Sequence, residues 1–437
     1  MAKLCSMMMG LLLCSAQAFA VGGDFEHWLK HQEVISTQRM LANVSPADAA
    51  PGAVVASPEK YAPNYYFHWV RDAALTMDTV LALYKVSSGT TQAALYDRMV
   101  AFARFSRQNQ LTPTRTGVGE PKFYHDGTAF NDNWCRPQND GPALRALTLT
   151  KFANYLLDRG QDVQFVTREL YDSKVPTGSV IKTDLEFVAH NWRAINCDIW
   201  EEVEGEHFYN KLVTRRALVE GAALANRLGD PGAASFYLMQ AQALEPSILA
   251  HWDEGKGVFV PTINWKGGIW YKDSGLDSQV VLGVLHSEAM NFSDPRLLNT
   301  MKVMTERFST LYPINQRAGI PGVGIGRYPE DRYDGARFEG GNPWVLNTAA
   351  FANVYYRAAQ ELLQQGSRDQ AANYIAYGDQ LMKRVQYHAN PDGSLSEQID
   401  RHSGYMTSAR DLTWSHSEVM HAAWARRAAL QLYYGSR

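Results

Sequence analysis

The pentapeptide Asp198-Ile199-Trp200-Glu201-Glu202 sets three carboxyl groups around one indole, directly after Asn196 and Cys197. On a helical turn Asp198 and Glu201 would share a face, and each negative charge would make the other harder to ionise. A carboxyl group with a raised pKa is a usable general acid. The ordinary alternative is a solvated acidic helix start, because Asp and Glu favour a first helical turn for dipole reasons alone. Taken by itself the pentapeptide favours that alternative; other segments of the chain alter the balance.

Upstream, Asn64-Tyr65-Tyr66-Phe67-His68-Trp69-Val70-Arg71-Asp72 is an aromatic run that delivers an Arg-Asp pair to a helix entrance. Such a pair suits adjacent sugar hydroxyls, since a carboxylate accepts two hydrogen bonds while a guanidinium donates in a fixed fork. A buried salt bridge with Asp72 as a helix cap explains the residues equally well. Gly119-Glu120-Pro121-Lys122-Phe123 follows, and then Trp134-Cys135-Arg136-Pro137-Gln138-Asn139-Asp140-Gly141-Pro142-Ala143-Leu144-Arg145. The latter places a Trp and several hydrogen-bonding groups before a helix, either as a stacking platform with polar anchors or as a structural loop burying one Trp.

The elements that must position these groups are helices. Apolar residues recur at helical spacing near 25–43, 71–87, 91–108, 141–158, 178–194, 208–228, 232–248, 296–310, 344–365, 368–387 and 411–432, and strand-like alternation is scarce. Between them run long loops rich in Gly, Pro, Trp and Arg, at 111–138, 255–275 and 318–344. Structured loops of that length usually carry function. No linker or low-complexity tract divides the chain, so the expectation is one domain over 21–437. Helical hairpins closed into a ring would give this pattern, as would an open helical array.

The 437 residues carry 42 Lys and Arg against 45 Asp and Glu, a net charge of -3. That balance offers no electrostatic footprint for nucleic acid or an anionic membrane and points to neutral partners. The 22 Tyr and 11 Trp could line a sugar cleft, although cores use them too. Residues 1–20 read as a secretory signal: Lys3 is a positive start, Met7 to Leu13 an apolar run, and Ala18-Phe19-Ala20 a small-x-small cleavage site. The run is too short to span a bilayer. The expectation is a secreted or periplasmic monomer, cleaved near Ala20 and without membrane insertion. Cys135 and Cys197 remain in the mature chain, as one disulfide or as two buried thiols. His416 and His421 are five apart, which does not align two ligands on one helix face, so no metal site is expected. Gly322-Val323-Gly324-Ile325-Gly326 lacks the strand and helix of a dinucleotide loop and reads as a flexible lead into Arg327. No cofactor is expected.

These blocks resemble the glucoamylases of glycoside hydrolase family 15, in which a Tyr-rich W-x-R-D segment, a W-x-R-P-Q-x-D-G-P-A-L-R segment and a D-x-W-E-E segment occur in this order. Later blocks continue the likeness: Arg327-Tyr328-Pro329-Glu330-Asp331, Asn342-Pro343-Trp344, Ser394-Leu395-Ser396-Glu397-Gln398 and Ser408-Ala409-Arg410-Asp411-Leu412-Thr413-Trp414-Ser415. The likeness runs from about Trp28 to Trp414. It implies an all-α (α/α)6 barrel with active-site loops at one end, and an exo-acting, inverting α-glucosidase that takes oligo- or polysaccharide.

Residue by residue, the resemblance implies Glu201 as general acid and Glu397 as general base. By type and setting alone, Glu397, just after the turn Pro391-Asp392-Gly393, would read as a surface glutamate. Asp198 is similar to a family Asp also given a base role and joins the catalytic group, with support of the acid as the preferred part. Arg71 and Asp72 would hold the terminal glucose, and Tyr65, Trp134, Glu202, Arg327 and Trp414 would line the pocket. Trp200 and Trp344 would sit near the entrance or the leaving-group subsite. Cys135, Cys197 and His416 depart from residues frequent in the fungal enzymes, so the pocket wall is expected to differ. The chain leaves no room for a separate starch-binding module, which favours soluble dextrins. Relatives acting on α-1,6 glucans or trehalose, and a non-catalytic glycan-binding domain, are the alternatives.

Overall fold

A computed structural model describes residues 23–435, which form twelve helices of nine residues or more. They are α1 (Gly23–Ala42), α2 (Val70–Val86), α3 (Gly89–Leu111), α4 (Asp140–Asp158), α5 (Val180–Asn191), α6 (Phe208–Arg227), α7 (Pro231–Leu249), α8 (Gln279–Ser287), α9 (Pro295–Leu311), α10 (Val345–Gln364), α11 (Arg368–His388) and α12 (Thr413–Gly435). The expected secretory signal lies outside the described residues.

Every second helix is an inner one. α2 packs on α4, α4 on α6, α6 on α8, α8 on α10, α10 on α12, and α12 returns to α2, which closes the ring. An outer layer covers it, with α1 against α12, α3 against α2, α5 against α4 and α6, α7 against α6, and α11 against α10 and α12. The architecture is the (α/α)6 barrel, and the open array is excluded by the contact of α12 with α2.

Burial and length together explain which helices the sequence reveals. Outer helix α9 buries a single stripe, with Leu297, Met301, Met304 and Phe308 at alternating steps of four and three, and so shows its period in the sequence. Inner helix α8 buries Val280, Val281, Leu282, Val284 and Leu285, and its nine residues span only about two and a half turns, too few for a period to repeat. It is the one of the twelve helices absent from the sequence expectation. Gly283 lets α8 approach α6, since a Cβ there would stand 3.1 Å from the Tyr209 Cα.

Strands are confined to the loops. β1 (Phe67–Trp69) pairs with β2 (Lys122–Tyr124) in antiparallel register, Trp69 opposite Lys122. β3 (Asn196–Cys197) and β4 (Val203–His207) form a hairpin that β7 (Thr262–Gly268) extends, while β5 (Trp252–Asp253) pairs with β6 (Val258–Phe259) and β8 (Gln398–Ile399) with β9 (Met406–Thr407). Among the described residues no helix is long and apolar enough to cross a membrane.

Candidate active site

A cavity of about 450 Å³ opens at the end of the ring where the inner helices begin. Its lining comes from the segments leading into five of them: Tyr65, Trp69, Arg71 and Asp72 at α2; Trp134 and Cys135 before α4; Ile199 to Glu202 before α6; Arg327, Tyr333, Phe338 and Trp344 before α10; Glu397, Leu412 and Trp414 at α12. Of the residues expected to act in catalysis or to bind substrate, all but Asp198 line this cavity.

Asp198 to Glu202 do not start a helix, as one reading of the sequence required. They form the tight connection of the β3–β4 hairpin, with the Glu201 N–H donating to the Asp198 carbonyl at 3.0 Å. Glu201 adopts φ +65°, a left-handed conformation that costs a non-glycine residue roughly 1–2 kcal/mol. Asp198 holds the turn shut: one carboxylate oxygen accepts from the N–H groups of Glu202 at 2.8 Å and Val203 at 2.9 Å. The other accepts from the Lys272 ammonium at 3.2 Å. Burial works to raise the Asp198 carboxyl, but Lys272 and these N–H groups outweigh it and hold the carboxyl below its ordinary value. Asp198 is therefore a buried, ionised brace facing away from the cavity. A mutually repelling Asp198–Glu201 pair does not form, because the turn points the two carboxylates apart.

Glu201 does face the cavity. Its Oε1 accepts from the Trp69 indole N–H at 2.9 Å and from the Gln138 amide at 3.0 Å, with the Arg71 guanidinium at 3.8 Å. Gln138 cannot be reversed in this setting, since its oxygen accepts from Arg71 at 3.0 Å. Arg71 also donates to Asp140 at 2.9 Å and stands 3.5 Å from Asp72. Burial pushes the Asp72 carboxyl up to about 6 against the pull of Arg71.

Glu397 arrives from the other side. In the closed ring α6 and α12 are three helices apart in either direction, so the loop before α6 and the loop before α12 meet across the axis. Glu397 is 2% exposed, and its Oε2 accepts from Ser408 at 2.6 Å and Gln398 at 3.0 Å. Burial pushes its carboxyl up to about 7, opposed by Ser408, Tyr65 and Arg327. Tyr65 in turn shares a 2.9 Å hydrogen bond with Tyr333.

The third wall is ionic. Glu202 accepts from Arg327 at 2.8 Å and from the Tyr328 hydroxyl at 2.7 Å, while Arg327 grips Asp331 with two nitrogens at 2.8 and 2.6 Å. Trp200 and Trp344 line the cavity, but at 8% and 6% exposure they are wall, packed edge to face 5.4 Å apart, and do not form the entrance. The exposed aromatic groups at the rim are Trp134 and Phe338. Trp414 is anchored through its indole N–H to Glu418 at 3.1 Å.

Cys135 and Cys197 form a disulfide that ties the Trp134 loop to β3. This settles the alternative left open by the sequence, and Cys135 belongs to the cavity wall. The glycine-rich lead into Arg327 is buried and tightly packed from Gly324 onward: a Cβ on Gly326 would stand 2.0 Å from the Tyr312 hydroxyl, and Ile325 accepts from the Trp344 N–H at 2.8 Å. Trp69, Gln138 and Ser408 act here although the sequence reading gave them no role. They stand inside the blocks already quoted, which was the available signal. Lys272 and Tyr333 stand in the two later long loops and carry no local signal of their own.

The family described as Glycosyl hydrolases family 15 matches residues 34–424. A glucoamylase from Blastobotrys adeninivorans is 36% identical, over 92% of this chain and 72% of its own length. A probable glucoamylase from Schizosaccharomyces pombe is 32% identical, over 93% of this chain and 92% of its own. Among solved structures, a glucoamylase from Saccharomycopsis fibuligera superposes with a TM-score of 0.85 at 28% identity, covering 94% of this chain and 97% of that one.

Proposed function

The chain belongs to glycosyl hydrolase family 15 and is an exo-acting glucoamylase, and from that premise we propose that Glu201 is the general acid and Glu397 the general base of an inverting hydrolysis. Glu201 delivers a proton to the glycosidic oxygen as the bond breaks. Glu397 removes a proton from the water that attacks the anomeric carbon from the opposite face, releasing β-D-glucose from a non-reducing end of an α-1,4-linked glucan. Inversion requires two carboxyl groups with room for a water between them. The observation that carries the reading is their origin on loops before α6 and α12, across the ring from one another, with both groups lining one cavity.

Arg71 and Asp72 close the base of the cavity around the terminal glucose, where a pair locked by Gln138 and Asp140 can reward free hydroxyls without rearranging. Glu202 and Arg327 hydrogen-bond the sugar from the third wall, and Tyr65, Trp200, Trp344 and Trp414 shape it. Trp134 at the rim stacks on the leaving group. Asp198 serves as the brace of the Glu201 turn. We place residues 21–437 in one catalytic domain, exported after cleavage near Ala20 and working as a monomer on maltodextrins and soluble starch.

One observation favours the reverse allocation of roles: a carboxyl raised to about 7, as in Glu397, is suited to hold a proton. Comparing Glu201→Gln and Glu397→Gln on maltotriose and on α-glucosyl fluoride separates the two. Fluoride leaves without a proton, so the acid variant should keep substantial fluoride hydrolysis while losing about 10²–10⁴-fold on maltotriose. The base variant should lose both. If Glu397→Gln is the variant that spares the fluoride, the roles are exchanged; if both variants hydrolyse maltotriose normally, the site is wrong.

A further inference from the structure

Lys122 stands directly opposite Trp69 in the β1–β2 pair and is 3% exposed. Its ammonium lies over four rings, 3.9 Å from Trp134, 4.0 Å from Phe67, 4.1 Å from Phe130 and 4.3 Å from Trp69. The rings also touch each other in a closed cycle: Phe67 with Trp69, Trp69 with Trp134, Trp134 with Phe130, and Phe130 with Phe67, at centroid distances of 5.4 to 6.2 Å. The charges that act on the ammonium are Glu201 in the β3–β4 turn, then Arg136 and Asp132 in the loop before α4, none of them through a side-chain hydrogen bond. Glu120, beside Lys122 in sequence, is taken up by Arg136. Glu201 itself faces Arg71 of α2.

A lysine needed only for its aliphatic stem would send its ammonium to water. Here the charge is withdrawn into a box whose ring faces are its attractive partners. Two sides of that box, Trp69 and Trp134, are also the wall of the catalytic cavity, and Trp69 donates to Glu201 at 2.9 Å.

We propose that Lys122 is a positioning residue for the catalytic acid: its boxed ammonium holds the Trp69 and Trp134 indoles in place and sets a positive charge behind Glu201. The proposal rests on the reading of Glu201 as the acid. Losing the charge has two effects. The indoles relax, so the Trp69 hydrogen bond to Glu201 and the Trp134 platform are no longer held. The Glu201 carboxylate also loses a favourable neighbour, and removing a nearby positive charge disfavours any carboxylate relative to its acid form. Burial lowers the Lys122 ammonium to about 8, which puts its own proton loss within reach of a titration.

The test uses the full mature chain with Lys122→Met, which keeps the stem and removes the charge, and Lys122→Arg, which keeps the charge. In Lys122→Met, kcat/KM on maltotriose should fall about tenfold or more. The alkaline limb of its pH profile should move up by on the order of half to one unit. In Lys122→Arg the rate falls because the larger head fits the box poorly, while the limb stays where it is in the unmodified protein. A readout independent of hydrolysis is near-ultraviolet circular dichroism of the Trp bands. Between pH 7 and 9.5 the unmodified protein should show a one-proton change that Lys122→Met lacks. If the limb is unmoved in Lys122→Met, or the Trp bands do not titrate in the unmodified protein, the proposal falls, even should Lys122→Met fail to fold. If the unmodified protein titrates in the Trp bands yet hydrolyses nothing, the box stands and the reading of Glu201 fails.

Discussion

The carboxylate of Asp198 accepts the backbone N–H of Glu202 at 2.8 Å, and that bond shuts the turn in which Glu201 is held at φ +65°. Glu201, which lies between them in the chain, owes its direction to a neighbour that never touches the cavity. Left-handed backbone persists at a non-glycine only when its surroundings over-determine it. Asp198 supplies that with two N–H bonds, and Lys272 keeps it charged.

Asp198→Ala should therefore cost both stability and rate. Hydrogen bonds to a charged acceptor contribute roughly 1.5–3 kcal/mol each, and the variant leaves the Lys272 ammonium with less compensation. Thermal unfolding should show a clear drop in Tm, and kcat should fall with the loosened turn. Asp198→Asn, which keeps an acceptor oxygen, should recover part of both. Equal losses in the two variants would mean that the charge alone matters.

The acidic limb of activity should report Glu397. Burial raises its carboxyl to about 7, and a base works only when ionised, so kcat/KM should decline as the pH falls through that region. Ser408 donates to the ionised form at 2.6 Å. Ser408→Ala removes a stabiliser of the anion, so the carboxyl rises further and the acidic limb moves to higher pH, by about one unit. A limb that moves to lower pH would contradict the base role.

Asp72→Asn should weaken transition-state binding at the terminal glucose. The loss corresponds to about 1.5–3 kcal/mol for one charged hydrogen bond, or roughly 10- to 150-fold in kcat/KM. Steady-state kinetics on maltose gives the number. A variant within twofold of the unmodified protein would move the glucose site away from Asp72.

Products report the shape of the cavity and the stereochemistry together. Proton NMR in the first minutes of hydrolysis should show β-glucose ahead of mutarotation, and chromatography of an early starch digest should show glucose without accumulating maltotriose. Initial α-glucose would require a nucleophile in place of the water-activating base. Early oligosaccharides would require a cleft open at both ends.

Reducing the Cys135–Cys197 bridge, or replacing both residues by Ser, releases a closed loop with a sequence separation of 62 that contains α4 and α5. Loop-closure entropy for a loop of that size predicts a stability loss of about 4 kcal/mol. Because the bridge ties the Trp134 rim to β3, KM for maltodextrins should rise more than kcat falls. Calorimetry with and without reductant, alongside kinetics, measures both.

The sequence by itself determined the amphipathic helices and the blocks that carry the chemistry. Eleven segments of helical period coincide with helices to within three residues at either end, because a helix that buries one stripe writes a local 3.6-residue repeat into the chain. α8, only nine residues long, is too short to write one. Residue type also exposed the Arg71-Asp72 pair and the acidic pentapeptide. What only the tertiary structure decided is which carboxylate faces which. Asp198 and Glu201 are neighbours in sequence, yet the hairpin turn sends one to Lys272 and the other to the cavity. Glu397, far along the chain and ordinary by type, meets that cavity only because the ring closes and sets the loop before α12 across from the loop before α6. Local pattern fixes an element and its buried face; the distance between groups on different elements comes from how the helices pack into a closed ring, and no local pattern records it.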